Sequence, residues 1–124
     1  MMSVDKLHKY EGAFDSGAGR RNGIRAALFR GGLMNARAHL FIRGRVQGVG
    51  YRAFVVHTAH ALMLNGWVRN LYDRTVETVF EGERPAIETA IKRCQEGPPA
   101  SIVSSIDVSW SDNAEGLSGF EVRY

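Results

Sequence analysis

The stretch Gly44-Arg45-Val46-Gln47-Gly48-Val49-Gly50-Tyr51-Arg52 joins a short β-rich run, Ala38–Arg45, to a segment with helical periodicity, Arg52–Asn65. Glycines in such a loop let successive backbone N–H groups point into one concavity, and the first turn of the following helix adds unpaired N–H groups and the positive end of its dipole. Because Arg52 can place a planar guanidinium beside these donors, the pattern predicts an anion-binding loop. Spacing alone leaves open an ordinary glycine-rich turn with a surface arginine.

The segments that follow this loop predict the rest of the fold. The helix is expected to stop at Asn65-Gly66. After it we expect a hairpin of two strands, a second helix and two further strands, at Trp67–Asn70, Thr75–Glu81, Pro85–Glu96, Ile106–Trp110 and Phe120–Tyr124. The order β-α-β-β-α-β with a terminal strand is the split βαβ pattern. It predicts an α+β fold in which two helices cover one face of an antiparallel sheet.

Two other phosphate-binding motifs share features with the loop. Residues 48–53 match the G-x-G-x-x-A fingerprint of dinucleotide-binding folds. Those folds need further βα units and an acidic residue that binds the ribose, whereas here the next strand turns directly into a hairpin. A Walker-type loop needs a lysine and a Ser or Thr after the glycines, and neither is present. The sequence therefore argues against nucleotide binding.

The excess positive charge of the chain belongs to its N-terminal segment. Residues 1–35 hold six basic and three acidic side chains, whereas residues 36–124 hold ten of each sign. Residues 1–35 are rich in Gly and Arg, and we expect them to form a disordered extension. This extension could be a transit peptide, an expression tail, or translated upstream sequence with Met34 as the natural start. Residues 36–124 are expected to form the single domain, and the basic pI says nothing about that domain.

Cysteine and histidine usage gives no sign of a metal or a reactive thiol. The single cysteine, Cys94, cannot form an intramolecular disulfide, and no apolar run approaches the roughly 20 residues of a transmembrane helix, so we expect a soluble, cytoplasmic protein. Cys94 falls on the inward arc of the second helix, where packing is expected. His57 and His60 fall on the outer face of the first helix without a ligand set at metal-binding spacing, so no metal site is predicted.

Two motifs in this order, Gly44–Arg52 and Gly66-Trp67-Val68-Arg69-Asn70, resemble the paired signature of the acylphosphatase family. The resemblance covers about residues 37–124. It implies a ferredoxin-like fold, no cofactor, and hydrolysis of acyl phosphates to a carboxylate and inorganic phosphate, which is then both product and competitor. It also implies that Arg52 binds the substrate phosphate and that Asn70 positions the attacking water. The backbone of the loop completes the implied phosphate site, at Gln47, Gly48, Val49, Gly50 and Tyr51.

Two positions depart from the common pattern of the family. Asp73-Arg74-Thr75 stands where members often carry Asp-Gly, so the hairpin tip is expected to differ in conformation, with a slight effect on the aim of Asn70. Gly50 stands where some members have a larger residue, which is expected to loosen the loop without removing its donors. Neither change touches Arg52.

The implied chemistry needs few residues. An acyl phosphate expels a carboxylate whose conjugate acid has a pKa of about 4, so the leaving group needs no general acid. Asn70 cannot act as a general base, but its side-chain carbonyl can orient water, and the bound phosphate can accept the proton. At the end of a strand, Asn70 could equally be a turn former.

Two rival functions use the same fold. An RNA-binding module should show a basic sheet and the aromatic RNP pattern, and residues 36–124 show neither. A regulatory or carbamoyl-phosphate-handling domain could have kept the anion site for another role. We therefore expect a small-molecule acyl phosphate as the partner, no nucleic acid, no membrane and a monomer.

Overall fold

The computed structural model describes residues 35–112 and 115–124. The predicted N-terminal extension, residues 1–35, lies outside these ranges apart from Asn35, so its disorder stays a prediction. Five strands and two helices follow along the described chain, as β1 Asn35–Arg45, α1 Tyr51–Ala61, β2 Asn65–Asn70, β3 Val76–Glu83, α2 Arg84–Glu96, β4 Ile102–Ser111 and β5 Phe120–Val122. None of the helices in these ranges is long and apolar enough to cross a membrane.

The strands form one sheet in the order β4-β1-β3-β2-β5. β1 pairs antiparallel with both β3 and β4, so that Leu40 faces Thr78 on one side and Val108 on the other, and β2 pairs antiparallel with β3. This arrangement confirms the predicted ferredoxin-like α+β fold. The short β5 adds a parallel strand to the outer edge of β2, with Gly66 opposite Phe120, and makes the complete sheet mixed.

The core lies between the sheet and the two helices. Alternate residues of β1, Ala38, Leu40 and Ile42, are fully buried, as the two-residue period of a strand requires. The inward arc predicted for α2 is confirmed, because its apolar members are all buried: Ile87, Ala90, Ile91 and Cys94. Burying each large aliphatic side chain stabilises the fold by about 1.5–3 kcal/mol. This core supports the loop that follows β1.

The predicted end of the first helix at Asn65 is wrong, because α1 ends at Ala61. Its last turn is closed by backbone hydrogen bonds from Met63 N–H to His60 O at 3.2 Å and from Leu64 N–H to Ala59 O at 2.9 Å. These two bonds form a Schellman motif in which Met63 is the left-handed residue, with φ of 56°. The Asn65-Gly66 pair that resembles a helix stop already lies in β2.

The hairpin tip between β2 and β3 is held by local hydrogen bonds. Leu71 N–H donates to Thr75 O at 2.8 Å, and Thr75 N–H donates to the Asp73 carboxylate at 3.0 Å. Arg74 has φ of 73°, the left-handed conformation that glycine adopts freely. The hairpin tip therefore contains a non-glycine residue in the left-handed conformation, which is strained.

One buried carboxylate fixes the chain that leads into β5. Glu81 on β3 accepts hydrogen bonds from Glu115 N–H at 2.6 Å, from Leu117 N–H at 2.9 Å and from the Arg37 guanidinium at 2.8 Å. Burial alone would raise the pKa of Glu81, but these three donors together hold that pKa below its ordinary value. Glu81 is therefore charged at neutral pH and secures the segment before β5 to the sheet.

Replacing Met63 by glycine should stabilise the fold. Its side chain is 88% exposed, so little packing is lost. Because a non-glycine residue in the left-handed conformation is strained, we expect Met63→Gly to raise the free energy of unfolding by about 0.5–1 kcal/mol in urea titrations. Met63→Ala removes the same side chain but keeps the strain. An equal gain in both variants would show that the side chain, and not the backbone, is responsible.

Candidate active site

The loop between β1 and α1 leads into a helix N-terminus with free backbone donors. Gly50 is the N-cap of α1 and provides no side chain for capping. The first hydrogen bond into the helix runs from Phe54 N–H to Gly50 O at 3.0 Å, so the N–H groups of residues 51–53 have no helical carbonyl to donate to. Together with the positive end of the helix dipole, these donors suit the loop to an anion.

Gly48 and Gly50 shape the loop through their backbone conformation. Their φ angles are 77° and 79°, in the left-handed region. A Cβ atom at either position would meet no atom within 4 Å, so conformation, and not space, requires glycine there. A larger residue at Gly50 would therefore strain the loop without a steric clash.

A hollow of about 260 Å³, called here the first hollow, opens beside the loop. Its lining comes from the loop, the start of α1, the end of β2 and the last strand: Val46, Gly48, Gly50, Tyr51, Arg52, Ala53, Asn70, Val122 and Tyr124. Arg52 and Asn70, the two predicted catalytic residues, thus border the same space. Of the predicted phosphate-binding positions, Gln47 and Val49 are not among the lining residues.

Arg52 carries a charge that no carboxylate in the described part of the chain neutralises. Five other described arginines each have a carboxylate oxygen at 2.6 to 3.6 Å: Arg37, Arg43, Arg69, Arg84 and Arg123. The Arg52 guanidinium instead lies over the ring of Tyr124, with Cζ 5.3 Å from the ring centroid. The cation is therefore available to an anion in the first hollow.

Asn70 is the last residue of β2, and its side-chain oxygen finds no hydrogen-bond donor in the described part of the chain. Oδ1 is buried and accepts no hydrogen bond from any described residue. The turn that follows is closed by Leu71, Asp73 and Thr75, so the contacts of Asn70 do not match those of a turn former. Leaving a buried carbonyl oxygen without a donor costs about 1–3 kcal/mol. A water molecule in the hollow would satisfy it.

The side chain of Gln47 connects the loop to the hairpin. Its Nε2 donates to Leu71 O at 2.9 Å and to Thr75 O at 3.0 Å. These bonds fix the turn that follows Asn70 relative to the loop that precedes Arg52. Sequence reasoning assigned Gln47 to the phosphate through its backbone and missed this role, because nothing in the local pattern indicates which carbonyls an amide side chain reaches.

Tyr51 anchors the start of α1 to α2. Its hydroxyl donates to Cys94 O at 2.6 Å, and both residues are buried. Burial raises the pKa of Tyr51 well above its ordinary value. Burial also raises the pKa of the Cys94 thiol to about 12, although interaction of the thiol with the Tyr51 side chain lowers it somewhat. The thiol therefore stays neutral at physiological pH, which agrees with the predicted packing role.

A second hollow, of about 430 Å³, lies at the end of β2. It is lined by Arg69, Asn70, Leu71, Tyr72 and Tyr124. Asn70 and Tyr124 thus border both hollows. Sequence reasoning did not assign Tyr124 to the site, because its place there depends on the parallel pairing of β5 with β2, which no local pattern indicates.

In residues 35–112 and 115–124, the titratable side chains outside the hollows have other partners or face solvent. Among the described residues, no group of three or more His, Cys, Asp or Glu side chains could hold a metal ion. His57 and His60 are exposed on α1. The His39 ring lies 2.6 Å from a Glu77 oxygen, and the other oxygen of Glu77 accepts a hydrogen bond from Arg69.

Comparisons with known proteins agree with the resemblance seen in the sequence. The family model described as Acylphosphatase matches residues 38–122. A protein of Nostoc sp. named acylphosphatase is 53% identical over 87 residues, which cover 70% of this chain and 85% of that protein. The crystal structure of an acylphosphatase from Bacillus subtilis has a TM-score of 0.71 at 37% identity, covering 72% of this chain and 99% of that one. The structure of an acylphosphatase from Coxiella burnetii has a TM-score of 0.69 at 38% identity, and the match covers 72% of this chain and 93% of that one.

Removing the Gln47 amide should loosen the hairpin turn. Gln47→Ala leaves Leu71 O and Thr75 O without this donor, and we expect the free energy of unfolding to fall by about 1–3 kcal/mol. Amide hydrogen exchange at residues 71–75 should become faster. Gln47→Asn keeps the amide on a shorter side chain and should behave like alanine. Unchanged exchange in both variants would mean that Gln47 does not hold the turn.

Proposed function

Because the chain belongs to the acylphosphatase family, we propose that it hydrolyses acyl phosphates by direct attack of water on a phosphate held in the first hollow. Arg52 and the backbone amides of Gln47–Tyr51 bind the phosphate, and Asn70 positions the water. One observation carries this proposal: a guanidinium without a carboxylate partner and a buried amide oxygen without a hydrogen-bond donor, both judged among the described residues, border the same hollow as the N-terminus of α1. A phosphate and a water molecule are the ligands that satisfy these groups.

Binding depends on local donors and not on the overall charge of the domain. Residues 36–124 are formally neutral, so long-range attraction for an anion is weak. A guanidinium can donate two parallel hydrogen bonds to phosphate oxygens, and free N–H groups at a helix start add further donors along the dipole. Among the residues that the structure describes, no Asp or Glu side chain lines the first hollow to repel the phosphate.

In the proposed reaction, the water oxygen attacks phosphorus in line with the acyl oxygen, and the bond from phosphorus to that oxygen breaks. Its electron pair leaves with the carboxylate, which needs no proton. Asn70 Oδ1 accepts one hydrogen bond from the water, and the other proton passes to a phosphate oxygen because a neutral amide cannot take it. Arg52 and the loop amides stabilise the equatorial oxygens of the transition state.

Contacts on the outer face of the sheet argue against the RNA-binding rival. Trp67 is 8% exposed and is covered by Arg69 and Arg123, whose Cζ atoms lie 5.4 and 4.8 Å from its ring centroid. A base cannot stack on a ring that is already covered. Both arginines also pair with carboxylates, those of Glu77 and Glu121, so this face offers little free positive charge. We therefore propose no nucleic-acid partner.

The proposed reaction uses groups from a single chain, which supports a monomer as the active form. The single cysteine is buried, and its solitary presence fits a reducing compartment, so we also propose a cytoplasmic location. A regulatory domain that had kept the anion site would bind phosphate without turning over an acyl phosphate. An assay that measures binding and turnover together separates that rival from the enzyme.

Separate substitutions of the two catalytic residues should separate binding from turnover. Arg52→Ala removes a charged contact in the ground state and the transition state, so affinity for inorganic phosphate and kcat/KM for acetyl phosphate should fall together. Asn70→Ala acts only on the water, so phosphate affinity should stay within a few fold while kcat falls by about 100-fold or more. Initial rates and competition by inorganic phosphate measure both quantities.

A matched control for these variants is Arg93→Ala, which removes an exposed arginine from the last turn of α2, outside both hollows. It should leave rate and affinity unchanged, and circular dichroism should show that all three variants are folded. Near-normal kcat in Asn70→Ala would exclude its action on water. Normal phosphate binding by Arg52→Ala would place the phosphate elsewhere.

Excess chelator should leave turnover unchanged. Arg52 and the loop amides supply the positive charge that a metal ion would otherwise provide. Rates with acetyl phosphate, measured before and after dialysis against EDTA, should agree. Loss of activity that a divalent cation restores would contradict a metal-independent reaction.

A further inference from the structure

We propose that Tyr124 is a positioning residue that holds the Arg52 guanidinium in place for phosphate, an inference that rests on the proposed function. Arg52 Cζ lies 5.3 Å from the centroid of the Tyr124 ring. At such distances the face of an aromatic ring attracts a cation. The contact restrains a long side chain that would otherwise lose much rotamer freedom when phosphate binds.

The chemistry of this contact differs from that of the other restrained arginines. Arg69 and Arg123 also lie over a ring, that of Trp67, but each has a carboxylate oxygen as well, at 2.6 and 3.6 Å. A carboxylate at Arg52 would occupy N–H donors and offset the charge that binds phosphate. The ring of Tyr124 does neither, so it restrains Arg52 without occupying the N–H donors of the guanidinium.

The backbone brings Tyr124 to the site. β5 pairs in parallel with β2, with Val122 opposite Val68, and Arg123 N–H donates to Val68 O at 2.8 Å. This bond fixes the residue before Tyr124 to the strand that ends in Asn70. One strand pair thus holds both the tyrosine ring and the Asn70 amide at the edge of the first hollow.

The expected effect is small because Tyr124 is 99% exposed. A cation over a ring at an exposed site changes an equilibrium constant by about two- to five-fold. The chain offers a matched control in Tyr72, which is also fully exposed but lines only the second of the two hollows. A general effect of aromatic groups at the rim would appear at both tyrosines.

The test measures inhibition by inorganic phosphate and kcat/KM for acetyl phosphate in Tyr124→Ala, Tyr124→Phe and Tyr72→Ala. Tyr124→Ala should weaken phosphate binding and lower kcat/KM by about two- to five-fold. Tyr124→Phe keeps the ring face and should stay near wild type, as should Tyr72→Ala. In an Arg52→Ala background, Tyr124→Ala should change kcat/KM no further, because the ring acts only through the guanidinium.

The outcomes distinguish this inference from the function on which it rests. If Arg52→Ala lowers phosphate affinity and kcat/KM but Tyr124→Ala does not, the positioning role is overturned and the proposed function stands. The same holds if Tyr124→Ala lowers kcat/KM by the same factor in the Arg52→Ala background as in the wild type. An equal loss in Tyr72→Ala would overturn it as well. A wild-type chain that neither binds phosphate nor hydrolyses acetyl phosphate would overturn both.

Discussion

The first hollow depends on an uncompensated positive charge, formed by a helix N-terminus and an arginine without a carboxylate partner among the described residues. Such a group favours an anion only if no acid from the protein itself reaches it. The fold meets this condition by holding the site with uncharged contacts. Tyr51 bonds to a backbone carbonyl of α2, the Gln47 amide bonds to two carbonyls of the hairpin, and the Tyr124 ring lies against Arg52.

The two buried carboxylates of β3, Glu77 and Glu81, are engaged elsewhere. Glu77 is shared between His39 and Arg69, and Glu81 binds Arg37 and the backbone before β5. Buried charges of this kind are tolerated only when they are paired and hydrogen-bonded, and each of these carboxylates has at least two donors. Neither carboxylate lines the first hollow, and Arg69, which pairs with Glu77, also lies over the ring of Trp67.

Much of the fold could be predicted from local patterns, because they repeat with the period of the element. The strand before the loop and the inward arc of α2 both follow from such periods. The end of α1 could not be predicted in this way. Met63 adopts the left-handed conformation that usually requires glycine after a helix, and the glycine of Asn65-Gly66 lies in a strand instead. In the site, Arg52 and Asn70 lie in recognisable motifs, whereas the bonds of Gln47 and the position of Tyr124 arise from contacts between distant segments, which no local pattern records.

The parallel pairing of β5 with β2 joins the last residues of the chain to a strand near its middle, with Phe120 opposite Gly66. Contacts between such distant segments carry a high cost of loop closure and form late relative to local turns and helices. A chain on the ribosome, or one that has folded only its first βαβ unit, therefore lacks Val122 and Tyr124 at the hollow. The first hollow is therefore complete only after β5 has paired with β2, which formation of the two helices alone does not achieve.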